Sequence, residues 1–184
     1  MLEYSQLLMS SPWQRGSLTS LDANRCRLLN NRRVVIPAPH RKSMLPDTLH
    51  ELPREERFAY AKLLAYMIQI DDEVTIDEMT VFEQRLGTAL LSPGQRREIR
   101  TYLKNPPTLE ECLDELGKKS GRLALRDAAL MTAADGSIDE KEQIALEQIA
   151  NHLNLDEGII DQLLDWVMAG FDWMQDGLDL LNVE

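Results

Sequence analysis

Two acidic segments 64 residues apart, DDEVTIDE (Asp71 to Glu78) and DGSIDEKE (Asp135 to Glu142), constrain this chain more than any other feature. Laid on each other, they match without a gap in both directions. Upstream, Leu45, Leu49 and Leu52 fall on Leu109, Leu113 and Leu116, and Ala65 and Met67 fall on Ala129 and Met131. Downstream, Glu83-Gln84 falls on Glu147-Gln148, Leu91 on Leu155 and Gly94 on Gly158. With Asp71/Asp135, Glu78/Glu142 and Glu51/Glu115, twelve of fifty-nine aligned positions are identical. Average residue usage gives roughly one identity in fifteen by chance. An offset of this kind marks a duplicated unit, residues 45–103 and 109–167, so each element of the fold is expected twice.

Each unit reads as four helices. The first is short, Leu45–Leu52 and Thr108–Leu116, the latter opened by a Thr108-x-x-Glu111 capping box after Pro106-Pro107. The second runs Arg54–Ile70 and Gly121–Ala134, with Phe58, Ala61, Leu64, Ala65 and Ile68 on one stripe, and Leu123, Leu130, Met131 and Ala134 in the other copy. The third begins at Thr75 and Asp139, each followed three residues later by a glutamate that can reach back to the cap. The fourth starts at Ser92-Pro93 and at Asp156-Glu157, the first pair an N-cap followed by proline at N1. No segment alternates apolar and polar residues long enough to demand a strand; RRVVIP could run extended but meets Pro37 and Pro39. The expected fold is all-α.

The joint between second and third helices carries the chemistry. AADGSIDEKE fits positions five, six, eight, nine and twelve of a calcium-binding EF-hand loop through Asp135, Gly136, Ile138, Asp139 and Glu142. Met131 and Ala133 then stand at positions one and three, and Met67 and Gln69 in the other copy, so an EF-hand lacks its leading carboxylates. A capped helix joint explains most of the same residues. Gly136 supplies a left-handed turn, Ile138 plugs the core, Asp139 and Glu142 cap the next helix, and an Asx-turn can employ Asp71 and Asp135.

A duplicated all-α unit with D-G-x-[IV]-[STD]-x-x-E between two helices resembles the TerB-like domains of bacterial tellurite-resistance proteins and of some membrane-anchored J-domain co-chaperones. The resemblance spans about residues 45–167. Asp72 departs from it, standing where the motif has glycine, although Asp tolerates the left-handed conformation. The basic N-terminal arm and the long C-terminal tail have no counterpart in it. The resemblance implies a non-enzymatic module, linked to stress response, whose acidic residues bind a divalent metal. Carried over by position, the metal candidates are Asp71 and Glu78 in one copy and Asp135 and Glu142 in the other. Two such joints about a pseudo-twofold axis would gather four carboxylates, hard ligands suited to Ca²⁺, Mg²⁺ or Mn²⁺. Capping alone would occupy the same glutamates, and then no cofactor is needed.

Charge divides the chain. Residues 1–42 carry seven basic side chains and two acidic ones, a net of +5, so the remainder carries −16 of the total −11. The expected organisation is a basic arm, 1–42, and an all-α domain, 43–184. An acidic body repels nucleic acid. No apolar run approaches the ~20 residues of a membrane helix, which excludes insertion but leaves room for peripheral association with a membrane complex. The N-terminus lacks the features of a signal peptide, and Cys26 and Cys112 have no C-x-x-C spacing. Both point to a reducing, cytoplasmic setting.

Catalysis finds little footing. His40, His50 and His152 are scattered, no E-x-x-H pair occurs, and no metalloprotease, serine-hydrolase or P-loop motif is present. A metal-dependent hydrolase on the carboxylates is the remaining enzymatic reading, and a non-enzyme is expected. The C-terminal helix extends beyond the repeat to about residue 181 with two apolar lines. Leu164, Val167, Phe171, Met174, Leu178 and Leu181 form a heptad-like stripe, and Trp166, Gly170, Trp173 and Gly177 form a second. One helix cannot bury both lines unaided, so Trp166, Phe171 and Trp173 are the candidates for contact with a protein partner or a second subunit. Its aspartates argue against docking on an anionic membrane. A structural adaptor or homodimerisation domain, working through the arm and this helix without metal, is the alternative function.

Overall fold

The computed structural model describes residues 27–29, 33–35, 48–70 and 74–183. The chain divides into two compact units, residues 1–46 and 47–184. In the first, β1 (Arg27–Leu29) pairs antiparallel with β2 (Arg33–Val35), Leu28 opposite Val34. β2 lies within RRVVIP, the segment that the sequence allows to run extended. Each strand is three residues long, too short to display an alternation, and β2 stops at Val35 ahead of the prolines.

Among its described residues, the second unit is all-α. A 3-10 turn, Leu49–Glu51, precedes α1 (Arg54–Met67), α2 (Ile76–Thr88) and α3 (Pro93–Tyr102). Then come α4 (Leu109–Asp114), α5 (Lys118–Thr132), α6 (Glu140–His152) and α7 (Ile159–Asp179). Helix starts follow the sequence offset: α1 and α5 begin at residues 54 and 118, and α2 and α6 at 76 and 140. The caps at Thr75, Ser92, Thr108 and Asp139 all form as complete capping boxes, with proline at the start of α3.

Several boundaries differ from expectation. The first described element is a 3-10 turn, α1 ends at Met67, and α5 starts three residues before Gly121. Gly117 serves as N-cap of α5, where a Cβ would come within 2.8 Å of a Glu56 carboxylate oxygen. The last helix starts at Ile159 and not at Asp156, because Gly158 takes φ +77° and turns the chain once more before the helix begins.

The helices α1 and α5 form the central pair, each covered on most sides. Residues 64 positions apart share the core: Ala65 and Ala129, Met67 and Met131, Phe82 and Leu146 are all essentially inaccessible. The methionines standing where an EF-hand would place a ligand are thus core residues. Equivalent joints use different chemistry. Arg57 Nη1 donates to the Ala89 carbonyl at 3.1 Å, whereas its counterpart Gly121 lies against Leu153, with 2.6 Å between a built Cβ and a Leu153 methyl. The equivalent glutamates also cross between halves. Lys119 Nζ donates to Glu51 at 2.8 Å, and Lys62 Nζ donates to Glu115 at 2.9 Å.

One polar cluster lies inside the α1–α5 interface. Fully buried Asp127 accepts from the Tyr60 hydroxyl at 2.6 Å and takes both Nε and Nη2 of Arg126 at 2.7 Å, with Arg85 Nε at 3.8 Å. Burial, reinforced by the Asp127 charge, holds the Tyr60 hydroxyl protonated well above its ordinary range. The residue 64 positions before Asp127 is Leu63, so the carboxylate at the centre of this cluster has no counterpart in the first half.

Candidate functional site

Both acidic joints open onto one cleft of about 340 Å³, lined by Thr75 and Glu78 from the first and by Thr132, Asp135, Ser137, Ile138, Asp139 and Glu142 from the second. Three of the four metal candidates therefore meet. The fourth, Asp71, lies outside the described residues. Thr75, Thr132, Ser137, Ile138 and Asp139 complete the lining and were not among the metal candidates, although Thr75 and Asp139 were readable as caps.

The geometry shows how each side chain is held. Glu78 Oε2 accepts from the Thr75 backbone N–H and hydroxyl, each at 2.8 Å, while the Thr75 hydroxyl accepts from the Glu78 N–H at 3.2 Å. Glu142 Oε2 accepts from the Asp139 N–H at 2.8 Å, and Asp139 Oδ1 accepts from the Lys141 N–H at 2.7 Å. Both capping glutamates are buried, Glu78 at 5% and Glu142 at 4% exposure. Asp135 closes an Asx-turn: its Oδ1 accepts from the Ser137 N–H and hydroxyl, both at 2.9 Å, as Gly136 passes through φ +88°. Helix N-termini bring partial positive charge to the cleft.

The donor set is entirely oxygen, which suits a hard divalent ion. Capping engages Oε2 of both Glu78 and Glu142. Among the described residues, however, no three His, Cys, Asp or Glu side chains stand in an arrangement that holds one ion. The cleft fits such an ion in donor chemistry, and its described carboxylates do not converge as a preformed cage.

Elsewhere the candidates divide. Cys112 is buried, and burial pushes its thiol up to about 12, so it is a core side chain with no thiolate at neutral pH. His50 and His152 sit exposed at the surface, while His40 lies outside the described residues. On α7, Trp166 and Trp173 are 51% and 72% exposed and Phe171 is half-buried, so neither apolar line is covered along its length.

Among solved structures, the chain is similar to a tellurite resistance protein from Nostoc punctiforme, with a TM-score of 0.59 and 23% identity over 72% of this chain and 84% of that one. That likeness establishes the fold. No family model matches the chain, and no curated protein matches it. Among the described residues, no helix is long and apolar enough to cross a membrane.

Proposed function

We propose that the chain is a non-enzymatic TerB-like module, built from two copies of one helical unit, that takes a hard divalent cation into the cleft between its acidic joints. The observation carrying this reading is the meeting of the joints, with Glu78 from one half and Asp135, Asp139 and Glu142 from the other around one opening. Glu78 and Glu142 would offer carboxylate oxygens, Asp135 and Asp139 would join from the turn, and Asp71 belongs to the set by its place in the repeat. Ca²⁺, Mg²⁺ and Mn²⁺ suit these ligands better than softer ions. An ion here would tie the first turns of α2 and α6 together, so its uptake would stiffen the contact between halves. A part in stress response follows the name of the Nostoc protein and rests on it.

Calorimetric titration with Ca²⁺, Mg²⁺, Mn²⁺ and Zn²⁺ tests the reading. Wild type should bind at least one of the first three, and Glu78→Gln/Glu142→Gln should bind it at least tenfold more weakly while melting at the same temperature. Equal affinity in the two proteins, or no binding by wild type, sinks the cation and leaves the second reading. That reading is a metal-free adaptor, favoured by the uncovered end of α7 and by the capping work the acidic residues already do.

A further inference from the structure

Thr132 stands in the wall of the acidic cleft as the last residue of α5. It is 1% exposed and lies between Met131 and Ala133, which are core residues. The residue 64 positions earlier is Ile68, also buried. An apolar side chain would suit this run, so a hydroxyl buried here needs a reason.

Hydrogen bonding within the chain does not supply one. Thr132 Oγ1 donates to the Ala129 carbonyl at 3.4 Å, beyond the roughly 2.5–3.0 Å usual for an O–H···O bond. That carbonyl already accepts from the Ala133 N–H at 3.2 Å. Other threonines that turn back onto their own helix hold shorter bonds: Thr80 to Ile76 at 2.8 Å, Thr88 to Gln84 at 3.1 Å and Thr101 to Glu98 at 2.6 Å. None of those three is buried, so water completes their bonding. The Thr132 oxygen has two acceptor lone pairs, and among the described residues no donor meets them. Burying a hydroxyl so poorly paired disfavours the fold.

We infer that the Thr132 hydroxyl oxygen is a ligand of the divalent cation taken into the cleft. The inference rests on the cation reading given above and adds a residue to it. Among the described residues no three carboxylates, histidines or cysteines converge on one ion, so neutral oxygens have to complete its coordination. A threonine hydroxyl is an established ligand of Mg²⁺ in nucleotide-binding loops. It adds an oxygen without adding to the repulsion among the cleft's carboxylates. The hydroxyl proton stays directed at the Ala129 carbonyl, the lone pairs face the ion, and this ligand releases no proton on binding. As the C-terminal residue of α5, Thr132 also stands at the partially negative end of a helix dipole, which favours a cation.

Calorimetric titration of the full chain with Mg²⁺, Ca²⁺ and Mn²⁺, one ion at a time, tests this in wild type, Thr132→Val, Thr132→Ser and Thr88→Val. Thr132→Val keeps the branched shape and removes the oxygen. It should weaken the best-bound ion by about tenfold, the lower end of what loss of a supporting group costs a metal site. Its thermal midpoint in metal-free buffer should hold or rise, because the hydroxyl is poorly paired there. Thr132→Ser keeps the oxygen and should bind as wild type does. Thr88→Val, which removes a helix-bonded hydroxyl outside the cleft lining, should also bind as wild type does. Equal affinity in wild type and Thr132→Val overturns the inference and leaves the cation reading standing. So does an equal loss in Thr132→Ser, which would assign the effect to packing, and so does a fall of the metal-free midpoint in Thr132→Val by several degrees. No binding of any of the three ions by wild type overturns the inference and the cation reading together.

Discussion

The two halves of the helical unit solve one backbone problem with different residues. Where α2 ends, Leu90 takes φ 53°; where α6 ends, Asn154, its equivalent, takes φ 51°. Asn is well suited to that left-handed position and leucine is not, so the backbone path is the common constraint and the residue is free to vary. The same holds for Arg57 against Gly121 at the neighbouring contact. Two differences go further than variation. Asp127 replaces a leucine in the central interface, and α7 has 21 residues where its counterpart α3 has 10. What the halves share is the scaffold, and what only the second half has needs a separate explanation.

The largest test of that distinction is Asp127. Asp127→Leu copies the first half, yet it would leave the Tyr60 hydroxyl and the Arg126 guanidinium without their buried acceptor. Removing one partner of a buried charge cluster typically costs about 3–5 kcal/mol. Urea denaturation should show a loss of that size, and Tyr60→Phe in the same background should restore part of it. A cost under about 1 kcal/mol would mean that the second half tolerates the first half's residue and that the cluster is incidental.

Next in size is the contrast within α7. Val167→Ala removes about two methylene equivalents from a site that is 1% exposed and should cost about 2 kcal/mol. Met174→Ala, on the same face seven residues later, should change stability by less than about 0.5 kcal/mol. Comparable losses at both positions would show that the end of α7 is covered in solution.

The exchange at the helix ends should run in the stabilising direction. Leu90 is 59% exposed and buries little, so Leu90→Asn gives up few contacts and relieves a conformation that leucine adopts poorly. A gain of about 0.5–1 kcal/mol is expected, seen as a raised thermal midpoint. The reverse change, Asn154→Leu, should lose a similar amount.

Much of the scaffold was readable because it is periodic and locally signalled. The 64-residue offset located matching helix starts, the capping-box spacings located those at Thr75, Thr108 and Asp139, and the Ser-Pro pair located that at Ser92. Helix beginnings that depend on a glycine conformation, as at Gly158, were misplaced by a few residues, because sequence does not say which turn the chain completes. Glu78, Asp135 and Glu142, singled out from the two acidic segments, line one cleft. Asp127 was missed, although a carboxylate inside the apolar run ALRDAALM was the available signal. A charge at such a position declares itself only once its partners from α1 and α2 are known. How far α7 leaves the body was equally hidden, since an apolar stripe looks the same whether it is covered or bare.

The smallest expected effect separates the two roles open to the acidic joints. The Ser92–Gln95 box in this same protein has glutamine in the capping position, with Gln95 Oε1 accepting from the Ser92 N–H at 3.2 Å and its hydroxyl at 3.1 Å. Glutamine can therefore do for Thr75 and Asp139 what Glu78 and Glu142 do. Glu78→Gln/Glu142→Gln should shift stability by only a few tenths of a kcal/mol in metal-free buffer, the carboxylate's extra strength at a cap being offset by relief of repulsion in an acidic cleft. Capping uses the amide oxygen, whereas an ion uses the charge. If adding Mg²⁺, Mn²⁺ or Ca²⁺ raises the midpoint of wild type and leaves that of the double variant in place, the charge serves the ion. If the two proteins melt together with and without ions, the acidic joints are caps and nothing more, and the residues peculiar to the second half become the place to look for function.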